Sequence, residues 1–251
     1  MSRTVEKIVA GLVERLGYAI IPTWRLESRE LTQHLANIFD RYEITTVFDV
    51  GANVGQYHDF LRQQVGFTGE VHSFEPQPQL AHLLQQRQTT DPAWEIHNFG
   101  LGSSNDELLL NVMARDTFSS FRQPLADVEQ RFSASNTVVN DVVVPVRRLD
   151  DLFPATVMRG KSCYLKIDTQ GFDLEVLRGA PELLRLIKAL QFELPIQRLY
   201  AEVPHYREML EIVESMGFEI SGLFPVSIDK YLRAVELDCV MVRTPTSELI
   251  L

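Results

Sequence analysis

Asp49, Gly51, Asn53 and Gly55 lie close together in Thr46-Val47-Phe48-Asp49-Val50-Gly51-Ala52-Asn53-Val54-Gly55, and Glu75 follows in Val71-His72-Ser73-Phe74-Glu75-Pro76. An apolar run fit for a buried strand delivers Asp49 to a glycine-containing turn, after which Tyr57, Phe60 and Leu61 show helical spacing. That pattern is a strand, a ligand loop and a helix. Glycine at 51 and 55 would let the backbone pass close to a ligand, while the helix N-terminus would offer N–H groups to an anion such as a carboxylate. An acid ending the next strand, roughly 20 to 25 residues on, accepts both ribose hydroxyls in folds of this kind. The expected ligand is a nucleoside. A dinucleotide is disfavoured, because the second and third glycines of G-x-G-x-x-G would fall at Asn53 and Gln56.

A second block, Leu165-Lys166-Ile167-Asp168-Thr169-Gln170-Gly171-Phe172-Asp173-Leu174-Glu175-Val176-Leu177-Arg178-Gly179-Ala180, also carries chemistry. Alternation along a strand sets Lys166 and Asp168 on one face, and the lysine is expected to favour the ionised acid. Gly171 permits a sharp exit, Asp173 falls in the first turn of a helix, and Arg178 with a C′ glycine at 179 closes it. Asp168 then stands at the carboxyl edge of the sheet, where open α/β folds bind ligands. His72, His97 and His205 lack metal-ligand spacing along the chain and are expected to pack or face solvent.

These residues need a frame. Apolar runs near 44–50, 70–75, 94–99, 162–168, 188–194, 218–224 and 237–243 read as strands, with helical patterns near 55–64, 78–88, 172–187 and 204–216. The alternation predicts an α/β fold with a mostly parallel seven-stranded sheet and helices on both faces. Between 100 and 161 the rhythm breaks. There Leu108–Val112 and Val138–Val144 could pair as a hairpin around a polar stretch holding Arg115, Asp116, Thr117, Phe118, Ser119, Ser120 and Phe121. Such an insertion is expected to act as a lid. Two apolar stripes precede the frame, Val5, Ile8, Val9, Leu12, Val13 and Leu16, then Leu31, Leu35, Ile38 and Phe39. They predict an N-terminal helical extension over 1–43 ahead of a domain over 44–251. Its expected contact is the domain or a second subunit as a homo-oligomer, with a peripheral membrane surface as the alternative.

The chain has 251 residues, 45% of them hydrophobic, and a formal charge of −10. That charge argues against nucleic acid as a partner, since phosphate backbones are bound by clustered Lys and Arg. Cys163 and Cys239 both sit in strand-like apolar runs, which points to small buried hydrophobes and away from a disulfide framework. Charged residues at 6, 7, 14 and 15 interrupt the N-terminal apolar pattern, so no secretory segment is expected. No run is long enough to span a bilayer. The expected location is cytoplasmic.

The loop D-V-G-A-N-V-G with its later acid resembles the first motifs of class I methyltransferases, which bind S-adenosylmethionine. K-I-D-T-Q-G-F-D-L-E-V-L-R-G-A is similar to the signature of the FkbM family of S-adenosylmethionine-dependent methyltransferases. The likeness extends to Val146-Arg147-Arg148-Leu149-Asp150-Asp151-Leu152, Phe192-Glu193-Leu194-Pro195, Leu199-Tyr200 and Gly217-Phe218, and so covers roughly residues 44 to 243. It implies a Rossmann-like, class I methyltransferase-like fold and O-methylation of a hydroxyl on a sugar, glycolipid or polyketide-type acceptor. Thr169-Gln170 departs from the family pattern, where many members carry a hydrophobic residue and Glu.

With the usual strand order of that class, Asp168 and Glu193 would end neighbouring strands. Either could then be a general base for the acceptor hydroxyl, and together they could hold Mg²⁺ through hard oxygen ligands. The catalytic set expected from this reading is Asp168, Glu193 and Lys166. The set expected around S-adenosylmethionine is Asp49, Gly51, Asn53, Gly55, Gln56, Glu75 and Pro76, with Gly100, Ser119 and Ser120 from the insertion side. The competing readings are a non-catalytic binder that keeps the nucleoside pocket and, more distantly, an oxidoreductase using NAD. An acceptor cavity over Asp168 distinguishes enzyme from binder.

Overall fold

The computed structural model describes residues 28–113, 119–123, 138–198, 200 and 202–244. The stripe from Val5 to Leu16 lies outside the described residues, as do Arg115 to Phe118 and Leu199. Seven strands form one sheet: β1 (Thr46–Val50), β2 (Glu70–Phe74), β3 (Trp94–His97), β7 (Cys163–Ile167), β8 (Ile187–Pro195), β9 (Phe218–Ile228) and β10 (Ala234–Arg243). The order is β3-β2-β1-β7-β8-β10-β9. All neighbours run parallel except β10, which is antiparallel to both β8 and β9. Every residue of β1 and of β7 is buried, as a strand covered on both faces requires.

Helix α1 (Arg29–Arg41) buries Leu35, Ile38 and Phe39 against the sheet. Phe39 meets Phe67 and Tyr164 edge-on at 5.1 and 4.9 Å. The second N-terminal stripe therefore belongs to the core of the domain. Helix α2 (Gln56–Phe60) continues into a π-helical turn, Leu61–Val65, and α3 (Pro78–Gln88) starts with proline at its first position, where the missing N–H costs nothing. Three further helices complete the frame: α4 (Leu149–Leu152), α5 (Asp173–Arg178) and α6 (Tyr206–Ser215). The helical pattern expected over 172–187 resolves into α5 and a single 3₁₀ turn, Leu183–Arg185.

The break in rhythm is a small second sheet. β5 (Asp106–Met113) and β6 (Val138–Arg147) pair antiparallel, and β4 (Gly100–Leu101) runs parallel to β6. A bridge between Asn111 and Ser120 brings the segment 119–123 back against β5. Both cysteines are buried and free. Among the described residues no helix is long and apolar enough to cross a membrane.

Candidate active site

The chain steps outward from β1 to β2 on one side and to β7 on the other, which opens a crevice at the carboxyl ends of these strands. Glu75, just past β2, is buried, and its two carboxylate oxygens accept the backbone N–H groups of Asn53 and Gln77, each at 2.8 Å. One side chain thus ties the loop after β1 to the exit of β2. Burial raises the Glu75 pKa to about 7, against the opposing pull of those two backbone donors.

Behind the loop stands a buried network. The Trp94 indole donates to Ser73 Oγ at 2.9 Å, and Ser73 donates to Asp49 Oδ2 at 3.0 Å. The Lys166 ammonium lies 3.3 Å from Asp49 Oδ1, 3.5 Å from Asp168 Oδ2 and 3.3 Å from the Gly51 carbonyl. Burial alone would lower the lysine pKa, but the Asp168 and Asp49 carboxylates hold it above its ordinary value. Lys166 is a fixed positive charge. It can orient Asp168 but cannot take a proton.

The loop glycines serve the protein itself. Gly51 has φ +80°, and a Cβ there would come within 1.9 Å of the Asp168 carbonyl oxygen. A Cβ at Gly55 would meet Arg87, Leu84 and Trp94. The loop donors are also engaged internally: Asn53 N–H with Glu75, Val54 N–H with Asn53 Oδ1, and Gly55 N–H with the Ala52 carbonyl. These three amides are therefore not open to an anion, and the helix N-terminus named from the sequence begins one residue later, at Gln56. Arg87 clamps the loop from α3, reaching the Val54 carbonyl and both oxygens of Asp59.

Gln170 is the residue whose importance the sequence did not declare. Its amide nitrogen donates to Asp168 Oδ1 at 3.1 Å and to Glu193 Oε2 at 2.8 Å, while its amide oxygen accepts from the Tyr200 hydroxyl at 2.9 Å. Tyr200 thereby fixes which end of the amide faces the carboxylates. The place expected for Mg²⁺ between Asp168 and Glu193 is filled by a hydrogen-bond donor, so a metal at that pair is not supported. Glu193 also opens onto small cavities on the far side of Gln170, lined with Gly171, Asp173 and Pro195. There burial, with Asp168 and Glu236 nearby, pushes its pKa well up. Asp173 closes the turn by accepting Thr169 N–H at 3.0 Å and Thr169 Oγ1–H at 2.6 Å.

Two clefts meet at Asp168. The first, about 670 Å³ including its open mouth, is lined by Gly51, Asn53 and Gln56 of the loop, by Glu75, Pro76 and Gln77 after β2, and by Gly100. Ser119, Ser120 and Phe121 close it from the insertion, with Asp168, Thr169 and Gln170 opposite. The second, about 640 Å³, has Leu31, Tyr57 and Phe60 on its apolar side and Lys166, Gln191 and Asp238 on its polar side. Gly51, Gln56 and Asp168 belong to both. Of the expected nucleoside-binding residues, Asp49 and Gly55 do not line the first cleft, and they act from behind the loop. Thr169 lies within the signature block, where it marks a departure, whereas Gln77 and the second-cleft residues Tyr57, Gln191 and Asp238 have no motif to mark them.

Such a strand order, with the last strand inserted antiparallel beside its predecessor and a crevice at the ends of β1, β2 and β7, is the class I methyltransferase-like fold. The family model described as "Methyltransferase FkbM domain" matches residues 49–220, and the chain belongs to this FkbM methyltransferase family. Among solved structures, an FkbM methyltransferase from Methylobacillus flagellatus KT aligns at 16% identity with a TM-score of 0.48, over 78% of this chain and 43% of that one. The present chain thus spans less than half the length of that relative. An rRNA methylase from Streptococcus thermophilus aligns at 13% identity and TM-score 0.48, over 90% of this chain and 100% of that one. For a putative O-methyltransferase from Klebsiella pneumoniae the figures are 10%, 0.46, 95% and 89%. Likenesses this distant carry nothing about substrate. No curated protein matches the sequence.

Proposed function

We propose that the protein transfers the methyl group of S-adenosylmethionine to a hydroxyl of a sugar, glycolipid or polyketide-type acceptor, with Asp168 as general base. The observation that carries this reading is the meeting of two clefts at one exposed carboxylate. Glu75 suits the ribose, since a carboxylate steadied by two backbone donors still has lone pairs for two hydroxyls. Gln56, Gly100, Ser119 and Ser120 would complete the walls of that cleft. When bound, S-adenosylmethionine supplies an activated methyl group on a sulfonium that leaves without a proton. The chain must then align an acceptor oxygen, remove its proton and exclude water.

Asp168 is suited to the proton. Its side chain is 40% exposed, and Lys166 and Gln170 hold its two oxygens from either side. Glu193 acts through Gln170 as a positioning group. The second cleft would take the acceptor, with its apolar side against carbon and its polar side against hydroxyls. A binder that had lost catalysis would have no need to keep that space open beside Asp168. The reading agrees with a cytoplasmic location, where S-adenosylmethionine is made.

Purified protein incubated with methyl-labelled S-adenosylmethionine and an extract of host glycans and glycolipids should pass label to an acceptor, and Asp168→Asn should pass almost none. Binding of S-adenosylmethionine without label transfer to any acceptor pool would favour the non-catalytic binder. Calorimetric binding of NAD in its place would remove the methyltransferase reading altogether.

A further inference from the structure

Two imidazoles and a carboxylate that the proposed methyl transfer does not use converge on the outer edge of the sheet. β2 and β3 run parallel with His72 opposite Glu95 and Phe74 opposite His97. Alternation along β3 then sets Glu95 and His97 on the same face as His72. His72 Nδ1 lies 3.3 Å from His97 Nε2 and 3.3 Å from Glu95 Oε2, and Glu95 Oε1 lies 3.8 Å from His97 Nε2. Ligand bonds of about 2.0–2.1 Å around a tetrahedral ion place donor atoms about 3.3–3.4 Å apart. The closest donor separations already match those edges.

The rings are held in place by their neighbours. His72 stacks on Phe48 at 5.6 Å and meets Phe153 edge-on at 4.8 Å, and His97 lies flat on Phe74 at 4.6 Å. Both imidazoles are largely buried, while Glu95 is 60% exposed, so the cluster has an open side toward solvent. Among the described residues this is the one trio of His, Cys, Asp or Glu whose donor atoms gather within 4.8 Å.

We propose that His72, Glu95 and His97 form a binding site for a borderline divalent transition ion, zinc in the first instance, with water at the open position. Two imidazoles and one carboxylate favour such an ion over Mg²⁺, which prefers an all-oxygen shell. The bound ion would fasten β3, the outermost strand on this side of the sheet, to β2.

The test uses the full chain, stripped with a chelator and titrated with Zn²⁺ by calorimetry, and with Co²⁺ followed by visible absorption. One tight equivalent, a higher melting temperature with Zn²⁺, and a Co²⁺ spectrum of low-coordinate type are expected. His97→Asn should weaken that equivalent by more than about 100-fold. Glu95→Gln sits at an exposed position that does not hold the core, and it should weaken binding about 10-fold or more and shift the Co²⁺ bands. Should His97→Asn fail to fold, the Glu95→Gln result decides. His82→Asn, at an unrelated surface position, should leave the equivalent intact. Absence of binding up to about millimolar Zn²⁺, or binding that Glu95→Gln leaves unchanged, overturns the site.

Discussion

Glu75 couples ligand binding to protons. Its pKa of about 7 without ligand reflects burial, and hydroxyl donors from a ribose would favour the charged form and lower it. Binding of S-adenosylmethionine should therefore release a proton near neutrality. The affinity should rise about tenfold from pH 6 to pH 8, because the protonated fraction that must be discharged disappears over that range. Titrations in buffers of different ionisation enthalpy measure this directly, and Glu75→Gln should bind more weakly with a flat pH profile. A steep profile that survives in Glu75→Gln would assign the proton elsewhere. At Asp168, replacement by Asn keeps the shape and removes the base, so turnover should fall on the order of 10²- to 10⁴-fold with cofactor affinity nearly intact. Near-normal turnover would falsify the base assignment and leave Asp168 a strand-end residue.

At the scale of elements, the insertion and the β7 exit act as one piece. Ser120 Oγ donates to the Gln170 carbonyl at 2.7 Å, Met113 N–H donates to Ser119 Oγ at 3.2 Å, and Phe121 packs on Phe172 at 4.9 Å. Ser120→Ala should thus release the segment from the site. Hydrogen exchange around 119–123 should accelerate without ligand and regain protection only in part with S-adenosylmethionine present. Equal exchange in both proteins would mean that the backbone bridge to Asn111, the Ser119 contact and Phe121 hold the segment without the Ser120 hydroxyl. The end of α5 gives a second case. Gly179 has ordinary right-handed geometry, so it is not the left-handed C′ glycine the sequence suggests. A Cβ there would lie 2.0 Å from the Gly102 carbonyl oxygen, which explains the glycine by close approach of β4's exit. Gly179→Ala should lower stability by about 1–3 kcal/mol through strain against fixed backbone, read as a lower midpoint in urea.

For the molecule as a whole, several acids are buried with raised pKa values: Glu75 and Glu236 at about 7, Asp173 at about 6, and Glu193 well above its usual range. Burial is the largest cause in each. In the unfolded chain these groups titrate near 4, so between about pH 4 and pH 7 the folded state binds more protons. The stability they contribute is present below pH 4 and is lost as pH rises through 6 and 7. Asp91 runs the other way, at about 2, with burial overcome by Arg62, His58 and the Ala93 N–H, and its contribution is lost only in acid. Burial lowers the pKa values of His72 and His97, and these two groups oppose the four acids without cancelling them. The unliganded protein should accordingly melt highest in acid, near pH 4–5, and lower at pH 8. Saturating S-adenosylmethionine should narrow that difference, since it relieves Glu75. A melting temperature that climbs steadily from pH 5 to pH 8 would contradict these burials.

The strand rhythm, the loop after β1, the acid after β2 and the block around Asp168 are all local patterns, and each was legible because its signal lies within a single element or turn. Apolar runs mark strands wherever burial on both faces is required, and they locate all seven strands of the large sheet within a few residues. The family signature is local as well, which is why the FkbM resemblance stands. What the chain's local patterns could not carry is whatever depends on which elements become neighbours. Gln170 became the bridge between Asp168 and Glu193 because β7 pairs with β8, and its backbone at φ +52° turns the side chain between them. Asp49 and Gly55 withdrew behind the loop because Lys166, Trp94 and Arg87 arrive from other elements. His72 and His97 show no metal-ligand spacing along the chain, yet parallel pairing of β2 with β3 brings their nitrogens to 3.3 Å. Register between strands is set by the packing of the whole sheet, and only the tertiary structure decides it.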